Sequence, residues 1–481
     1  MNGSRDFRRL VVVSNRLPIV LGRDEKGQWA ARPGEGGLVT ALAPVLRNRG
    51  GVWIGWPGTD DREALDKVKA TSAQAGYQLL PVPLTAEDEK GYYHGFSNET
   101  IWPLFHDLVG HCRFEPAHWR KYQEVNQRFA RTVLETTTQE DYVWVQDYHL
   151  MCLGSMLREK GVKRRLGFFL HIPFPAVDIF SKLPWRKQIL EALLAYDLIG
   201  FQTARDRRNF IQCVRSLLQG VQHVGRGYLG AIRVGERQVL VGHFPIGIDA
   251  KRFASEAASA PVAEQAWYIH ELLPKRQIVL GIDRLDYTKG IPERLRAVGN
   301  ALERFPELHR QLTFVQVVVP SRVNVGDYRQ QRRTIEQLVG KINGKFTTAG
   351  WTPVHYIYRA LSWHELLAYY RTSEIALLTP LKNGMNLIAK EYCVCSVESG
   401  VLILSEFAGA ARQLQGALLV NPNDIEATAD ALRQAFHMPA AERKRRIRKL
   451  QREVDRHDVF WWVDLFLNAA FGRRLADFPL A

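Results

Sequence analysis

The sequence predicts an α/β protein made of two doubly wound domains, each a parallel sheet with helices, facing each other across a cleft. Three observations predict it. The chain has 481 residues, a length that suits two or three domains rather than one. Short apolar runs rich in Val, Ile and Phe recur along it, separated by longer amphipathic stretches. The runs are continuous rather than alternating, which is how strands covered on both faces read.

The first runs are LVVVSN (10–15), GVWIGW (51–56), YVWVQDY (142–148), LGFFLHI (166–172) and LIGFQ (198–202). A second series follows: QVLVGHFPIG (238–247), QIVLGID (277–283), LTFVQVVV (312–319), VHYIY (354–358), IALLTP (375–380), GVLILSE (400–406) and ALLVNP (417–422). These are too many for one comfortable sheet. The segment 246–275 is rich in Ala, Ser and Pro and reads as the join, with the split near residue 248. In such sheets ligands bind beyond the carboxyl ends of the strands. The residues just after each run therefore carry the functional reading.

After QIVLGID comes RLDYTKGIPERL, with Arg284 and Lys289 in a short loop and Pro292 in the first turn of a helix. A loop feeding a helix N-terminus favours anions through its free amides and dipole. Two cations there suggest a phosphate or diphosphate ligand; two plain surface cations are the alternative. LLTPLKNGMNLIAKEY (377–392) has the same design, a strand that turns at Asn383-Gly384 into a helix beginning near Met385. Glu391, about two turns along, is placed to meet a ribose. A third junction, GVLILSEFAGAARQL, puts Gly409 between small residues at a helix start, where it allows close approach of the backbone.

In the first half, SNR (14–16) follows the first strand, and GEGGLVTAL (34–42) sets Gly36 and Gly37 before a helix. YYHGFSNETIWPLFH (92–106) is crowded with aromatics. Asp147 ends one strand and His171 the next. A lone strand-end histidine is more often structural, but here carboxylate, imidazole and aromatics converge on one edge. Sugar sites use carboxylates for hydroxyls and aromatics for the apolar sugar face. Arg16 and Arg322 (in VVVPSR) could grip a phosphate.

The net charge of +15 suits polyanions or small phosphorylated substrates. Much of it lies in AERKRRIRKLQREVDRH (441–457), read as a solvated helix face. A nucleic-acid patch is the sharper alternative, without zinc-finger spacing or an aromatic RNA-binding signature to support it, so no nucleic-acid partner is expected. No apolar stretch is long enough to span a bilayer, and the N-terminus lacks a signal peptide's apolar centre. No membrane association and a cytoplasmic location are expected. Cys112, Cys152, Cys213, Cys393 and Cys395 form no CxxC pair and read as reduced core or boundary cysteines. No metal ligand set is visible: there is no DxD pair at a strand end, and His364-Glu365 is not HExxH. A transferase expelling a nucleoside diphosphate would then neutralise the leaving charge with protein cations and amides, and Arg284 and Lys289 are the natural providers. No cofactor or metal is expected.

Together these pieces resemble the α,α-trehalose-phosphate synthase (UDP-forming) family over nearly the whole chain. YYHGFSN, WPLFH, QDYHL, GFFLHIPFP, FPIGID, DRLDYTKG, INGKF, GMNLIAKEY and LSEFAGAA carry the resemblance. It implies two Rossmann-like domains of the GT-B architecture: 1–248 for the acceptor, 249–455 for the nucleotide sugar, and a C-terminal helix in 456–481 packing back on the first. It implies transfer of glucose, with retention, from UDP-glucose or another nucleotide-glucose to glucose 6-phosphate. Arg16, Tyr93, Trp102, Asp147 and Arg322 would hold glucose 6-phosphate. Gly36, Gly37, Arg284, Lys289 and Leu387, Ile388, Ala389, Lys390 and Glu391 would hold the donor, with Asn383, Gly384, Met385 and Asn386 beside its glucose and Leu361 against the base. His171 would sit by the reacting sugar, and His171, Asp147, Arg284 and Lys289 are the expected catalytic group. The mechanism implied is front-face attack, with the leaving phosphate taking the proton and no protein base. Oligomeric state is left open, a homo-oligomer included.

Two departures stand out. The family usually has aspartate where this chain has Asn383, and a small residue where it has Glu35. Asparagine keeps an acceptor and removes a charge that could favour a developing oxocarbenium, so reduced activity or an altered donor choice is expected. A related reading, glucosylglycerol-phosphate synthase, would be expected to lack Arg16 and Arg322. A catalytically weak sugar-phosphate sensor is the reading of another class.

Overall fold

The computed structural model describes residues 9–24, 26–34, 38–39, 42–43, 46, 51–225, 227–273, 276–321, 326–397 and 399–471. The chain divides into two units, Met1–Pro245 with Phe460–Ala481, and Ile246–Val459.

The first unit holds β1 (Arg9–Arg16), β4 (Val52–Trp56), β5 (Gln78–Pro81), β6 (Asp141–Gln146), β7 (Leu166–Phe169), β8 (Leu198–Phe201), β9 (Val221–Val224), β10 (Leu229–Val234) and β11 (Arg237–His243). A separate antiparallel hairpin pairs β2 (Ile19–Arg23) with β3 (Trp29–Pro33). The sheet runs β5-β4-β1-β6-β7-β8-β11-β10-β9. It is parallel from β5 to β11. Leu10 to Val13 and Val143 to Val145 have no exposed surface, so each apolar side chain there contributes roughly 1.5–3 kcal/mol.

The second unit holds β12 (Gln277–Arg284), β13 (Leu312–Val319), β14 (Val354–Ile357), β15 (Ile375–Leu378), β16 (Val401–Ser405) and β17 (Leu418–Val420). Its sheet, β14-β13-β12-β15-β16-β17, is parallel throughout. Numbered within the unit, that order is 3-2-1-4-5-6, the doubly wound order of dinucleotide-binding folds. The strands β5, β4, β1, β6, β7 and β8 repeat it in the first unit. Strand order therefore reverses beside β1 and β6 in one unit and beside β12 and β15 in the other. Loops leaving those strands diverge to opposite faces and open a crevice.

One expectation changes. The sheet of the first unit is mixed, because β9 and β10 join it antiparallel. Their half-polar segments, VQHV and LGAIRV, lack the continuous apolar signal of the other strands. The segment 246–275, read as the join, begins where the second unit begins. It folds into helices Ala250–Ala257 and Ala260–Leu272, because alanine is the best helix former and Asp249 caps the first by accepting from the Arg252 amide. The basic stretch near the end is a helix, Ala440–Arg456, that buries Arg443 along with Ile447, Leu450 and Val454. The helix Val459–Ala470 lays Phe466 flat on Trp144, with ring centroids 4.3 Å apart, and Trp462 against Phe169. Among the described residues no helix is long and apolar enough to cross a membrane.

Candidate active site

At the reversal in the first unit, Arg16 ends β1 and Asp147 follows β6. A cavity of about 590 Å³ opens there, lined by Arg16, Asp147, Gln146 and His149 among others. The Arg16 guanidinium lies over Trp56, 3.8 Å from the ring centroid. Gly58, with φ 98°, leaves it room: a Cβ there would come within 2.3 Å of Arg16 Nη1. Asp147 has φ 70°, a strained value for a residue other than glycine and common at functional positions. Its Oδ1 accepts from the His171 amide at 3.1 Å. Burial pushes its carboxyl up to about 7, against backbone N–H groups of Tyr148, His171 and Ile172 that pull it down.

His171 is held by two glutamines. Gln202 Nε2 donates to Nδ1 at 3.3 Å, so the ring proton sits on Nε2 and is donated to Gln146 Oε1 at 2.9 Å. Burial lowers this imidazole to about 3, so it is neutral at pH 7 with both nitrogens engaged. Tyr93 stacks on His149 and meets Trp56 edge-on. Trp102 is buried beside His106 and Tyr148. The segment Glu89–Ile101 that carries Tyr93 is a wide i→i+5 helix, a rare form often found at functional sites.

In the second unit the loops after β12, β15 and β16 are tied together. Arg284 ends β12 exposed, while Lys289 is buried in the loop behind it. Gly290, at φ 61°, starts the helix Ile291–Arg304, and a Cβ on it would lie 2.3 Å from the Thr379 carbonyl. The Leu381 amide donates to Thr288 O at 2.9 Å. On the other side Asn383 N donates to Phe407 O, Gly409 N to Asn383 O and Ala410 N to Met385 O, at 3.3, 3.0 and 2.8 Å. Gly409 does permit a close approach, but to this chain's own backbone: a Cβ there would lie 1.8 Å from Gly384 O. It opens one turn of 3₁₀ helix, Gly409–Arg412.

The helix after the Asn-Gly turn begins at Leu387, not Met385. Asn386, at φ 85°, is its cap and accepts from the Ala389 amide at 3.1 Å. Glu391 is therefore one turn in rather than two. Tyr370 donates to Glu391 Oε2 at 2.8 Å, and burial pushes the carboxyl up to about 7. Asn383, Leu387, Ile388 and Leu361 are half-buried; Gly384, Met385, Asn386 and Ala389 are buried. Lys390 turns inward, donating from Nζ to the Ile246 carbonyl at 2.7 Å, and burial lowers it to about 7. Glu365 belongs to a helix cap with Ser362 and pairs with Arg359. Gly36, Gly37 and Arg322, as well as Glu35, lie outside the described residues.

One anchor escapes the sequence reading. Arg294 is fully buried in the helix after Lys289, and its guanidinium reaches Asp283 Oδ2 at 2.7 Å, Gln316 Oε1 and Thr379 Oγ1 at 3.2 Å, and the Lys289 carbonyl at 3.3 Å. It fixes the ends of β12 and β15 and the loop between them and the helix. The signal was Asp283 itself, a carboxylate at the end of an apolar strand run, which requires a buried cation. Tyr370, Gln202 and Trp56 are likewise partners that lie outside the motifs that carry the resemblance.

The chain matches the model of glycosyltransferase family 20 over residues 8–471. It is 43% identical to the trehalose-6-phosphate synthase of Mycobacterium sp. (strain KMS), across 100% of this chain and 98% of that one. The synthase of Mycolicibacterium smegmatis is 43% identical, across 98% and 93%. Among solved structures, an α,α-trehalose-phosphate synthase (UDP-forming) from Burkholderia xenovorans in complex with glucose-6-phosphate superposes with TM-score 0.86 at 34% identity, covering 96% of this chain and 100% of that one. An E. coli structure bound with UDP-2-fluoro glucose superposes with TM-score 0.88 at 35% identity, covering 97% and 99%. With two doubly wound sheets, a match over almost its whole length and relatives of one kind, this chain belongs to glycosyltransferase family 20.

Proposed function

We propose that this chain transfers glucose from UDP-glucose to glucose 6-phosphate with retention, giving trehalose 6-phosphate and UDP. The observation that carries the reading is the full-length likeness to synthases of that reaction, one of them held with glucose-6-phosphate. The crevice residues support it. In the first unit Arg16, braced on Trp56, presents a flat guanidinium suited to a phosphate. Asp147, with one oxygen on the His171 amide, offers the other to a sugar hydroxyl. In the second unit Arg284 and Lys289 face the diphosphate charge, and Glu391, steadied by Tyr370, accepts from ribose hydroxyls. Backbone around Gly384 lies beside the donor glucose.

The C1–O bond to the diphosphate breaks while a C1–O bond to the acceptor hydroxyl forms on the same face of the sugar. The acceptor's proton passes to the departing phosphate oxygen. His171, neutral and engaged at both nitrogens, holds position rather than moving that proton. The leaving charge is met by Arg284, Lys289 and loop amides, so the reaction proceeds without a metal.

The test is purified protein with glucose 6-phosphate and UDP-, GDP- or ADP-glucose in turn, following nucleotide release and identifying the product by NMR. Release that requires glucose 6-phosphate and yields an α,α-linked disaccharide phosphate is expected, at a rate that EDTA leaves unchanged. No disaccharide phosphate with any donor overturns the reading. A loss in EDTA restored by magnesium overturns its metal-free part.

A further inference from the structure

On the β8–β11 side of the first sheet, positive charge gathers around a buried arginine. Arg207 lies in the first turns of the helix Ala204–Leu217. It is 7% exposed, and its buried Nε has no partner. Its Nη1 donates to the Gly227 carbonyl, which satisfies one N–H and neutralises no charge. Among the described residues no carboxylate pairs with it. The neighbouring Asp206 is turned onto the Phe174 amide and the Thr203 hydroxyl, and the charge that acts on Arg207 is the exposed Arg208, also positive.

Two histidines complete the group, His223 on β9 and His243 at the end of β11. His223 Nε2 and His243 Nδ1 are buried without partners, and Tyr228 stacks on His243 with ring centroids 4.4 Å apart. A Cβ on Gly230 would lie 2.9 Å from Arg207 Nη2 and 3.0 Å from His223 Nε2, with the Val224 carbonyl at 3.3 Å. Both nitrogens thus converge on the bare face of Gly230. Burial, with Arg207 and Arg208, holds His243 down at about 4; burial, with Arg207 and Arg215, lowers His223.

A buried guanidinium without a counter-ion is costly, and proteins pair such charges. We propose that Arg207, Arg208, His223 and His243 form a second anion site in the first unit, taking a small phosphate-type dianion. The donors set the ligand class. Planar, permanently charged guanidinium groups match phosphate oxygens, and each neutral imidazole adds one N–H. None of the four residues lines the cavity at Arg16 and Asp147, so the site is separate from the one assigned to the acceptor.

Inorganic phosphate is the probe. Thermal unfolding of the whole chain carrying Arg16→Ala, which weakens the other phosphate contact, is followed against phosphate at constant ionic strength, with chloride as the balancing anion. A saturable rise in Tm is expected, lost in both Arg208→Ala and His223→Ala. Neither variant removes a fully buried group, and circular dichroism checks that they fold. A saturable rise retained in both variants, or a rise in the parent chain that never saturates, overturns the proposal.

Discussion

At the reversal of the first sheet the two polar groups are set singly: a tryptophan ring lies under the Arg16 side chain, and the Asp147 carboxylate stands on a strained backbone with one oxygen on the His171 amide. At the reversal of the second, three loops are tied by main-chain hydrogen bonds, with Arg294 locked beneath them. Under the proposed function the difference has a chemical sense. A diphosphate is bound largely by amides and fixed cations, which must be held before charge develops. A sugar phosphate presents hydroxyls and a ring face, which are read by side chains. The second crevice should therefore fail through its scaffold, and the first through single contacts.

The sharpest way to break the comparison is Arg294→Met. It leaves Asp283 buried without its cation, a loss of about 3–5 kcal/mol. Urea unfolding of the second unit should show it, and activity should vanish with the fold. Retained stability would mean that the guanidinium is not the anchor the geometry makes it.

Gly409→Ala comes next. Its Cβ would meet Gly384 O at 1.8 Å, so the turn must move, at about 2–3 kcal/mol. The donor KM should rise while the KM for glucose 6-phosphate holds. Equal rises in both would show that the loops after β15 and β16 do not serve the donor alone.

The two carboxyls raised to about 7 test whether burial acts alike in both units. A raised folded value means that the folded chain keeps a proton the unfolded chain has lost, so this contribution falls as pH rises from about 4 to 7. Asp147→Asn and Glu391→Gln should each gain on the parent chain through that window, by about 2 kcal/mol at its upper end. Parallel urea-unfolding profiles against pH would refute it.

Much of this architecture was legible beforehand, for a physical reason. Strands covered on both faces of a parallel sheet read as continuous apolar runs, and each of the twelve runs contains a strand paired in parallel. Among the missed strands, β9 alternates half-buried and exposed residues and the β2–β3 hairpin has a largely open face, while β5 and β10 are short or half-polar and form no continuous apolar run. At the crevices, residue types at strand ends were readable, but their partners were not. Arg294 lies eleven residues from Asp283 in a helix with other charged residues, where it reads as one more solvated cation. Lys390 read with its neighbours as one segment, yet its ammonium turns to Ile246. Asn386 read as a helical residue, because sequence does not report a positive φ.

On the first unit's side, Arg16→Ala should raise the KM for glucose 6-phosphate about tenfold, the value of one charge-assisted contact. Stability should change little, since the guanidinium rests on the face of Trp56 rather than in a buried pair. Arg16→Lys should recover only part of the loss, because an ammonium cannot match a phosphate with a planar fork. Full recovery would mean that charge alone, not the braced plane, is what counts.

The smallest effect belongs to Asn383, where the two ways of building meet. Its backbone is part of the tied loops, donating to Phe407 O and accepting from Gly409 N, while its half-buried side chain is free to be changed without disturbing either bond. Asn383→Asp should thus leave stability within about 0.5 kcal/mol. The added carboxylate would favour positive charge growing at the donor sugar, so kcat should rise severalfold with the preferred nucleotide-glucose, or the preference among UDP-, GDP- and ADP-glucose should shift. If the kinetics with all three donors stay as they were, the side chain at 383 has no part in the transfer, and the second crevice acts through its backbone and cations alone.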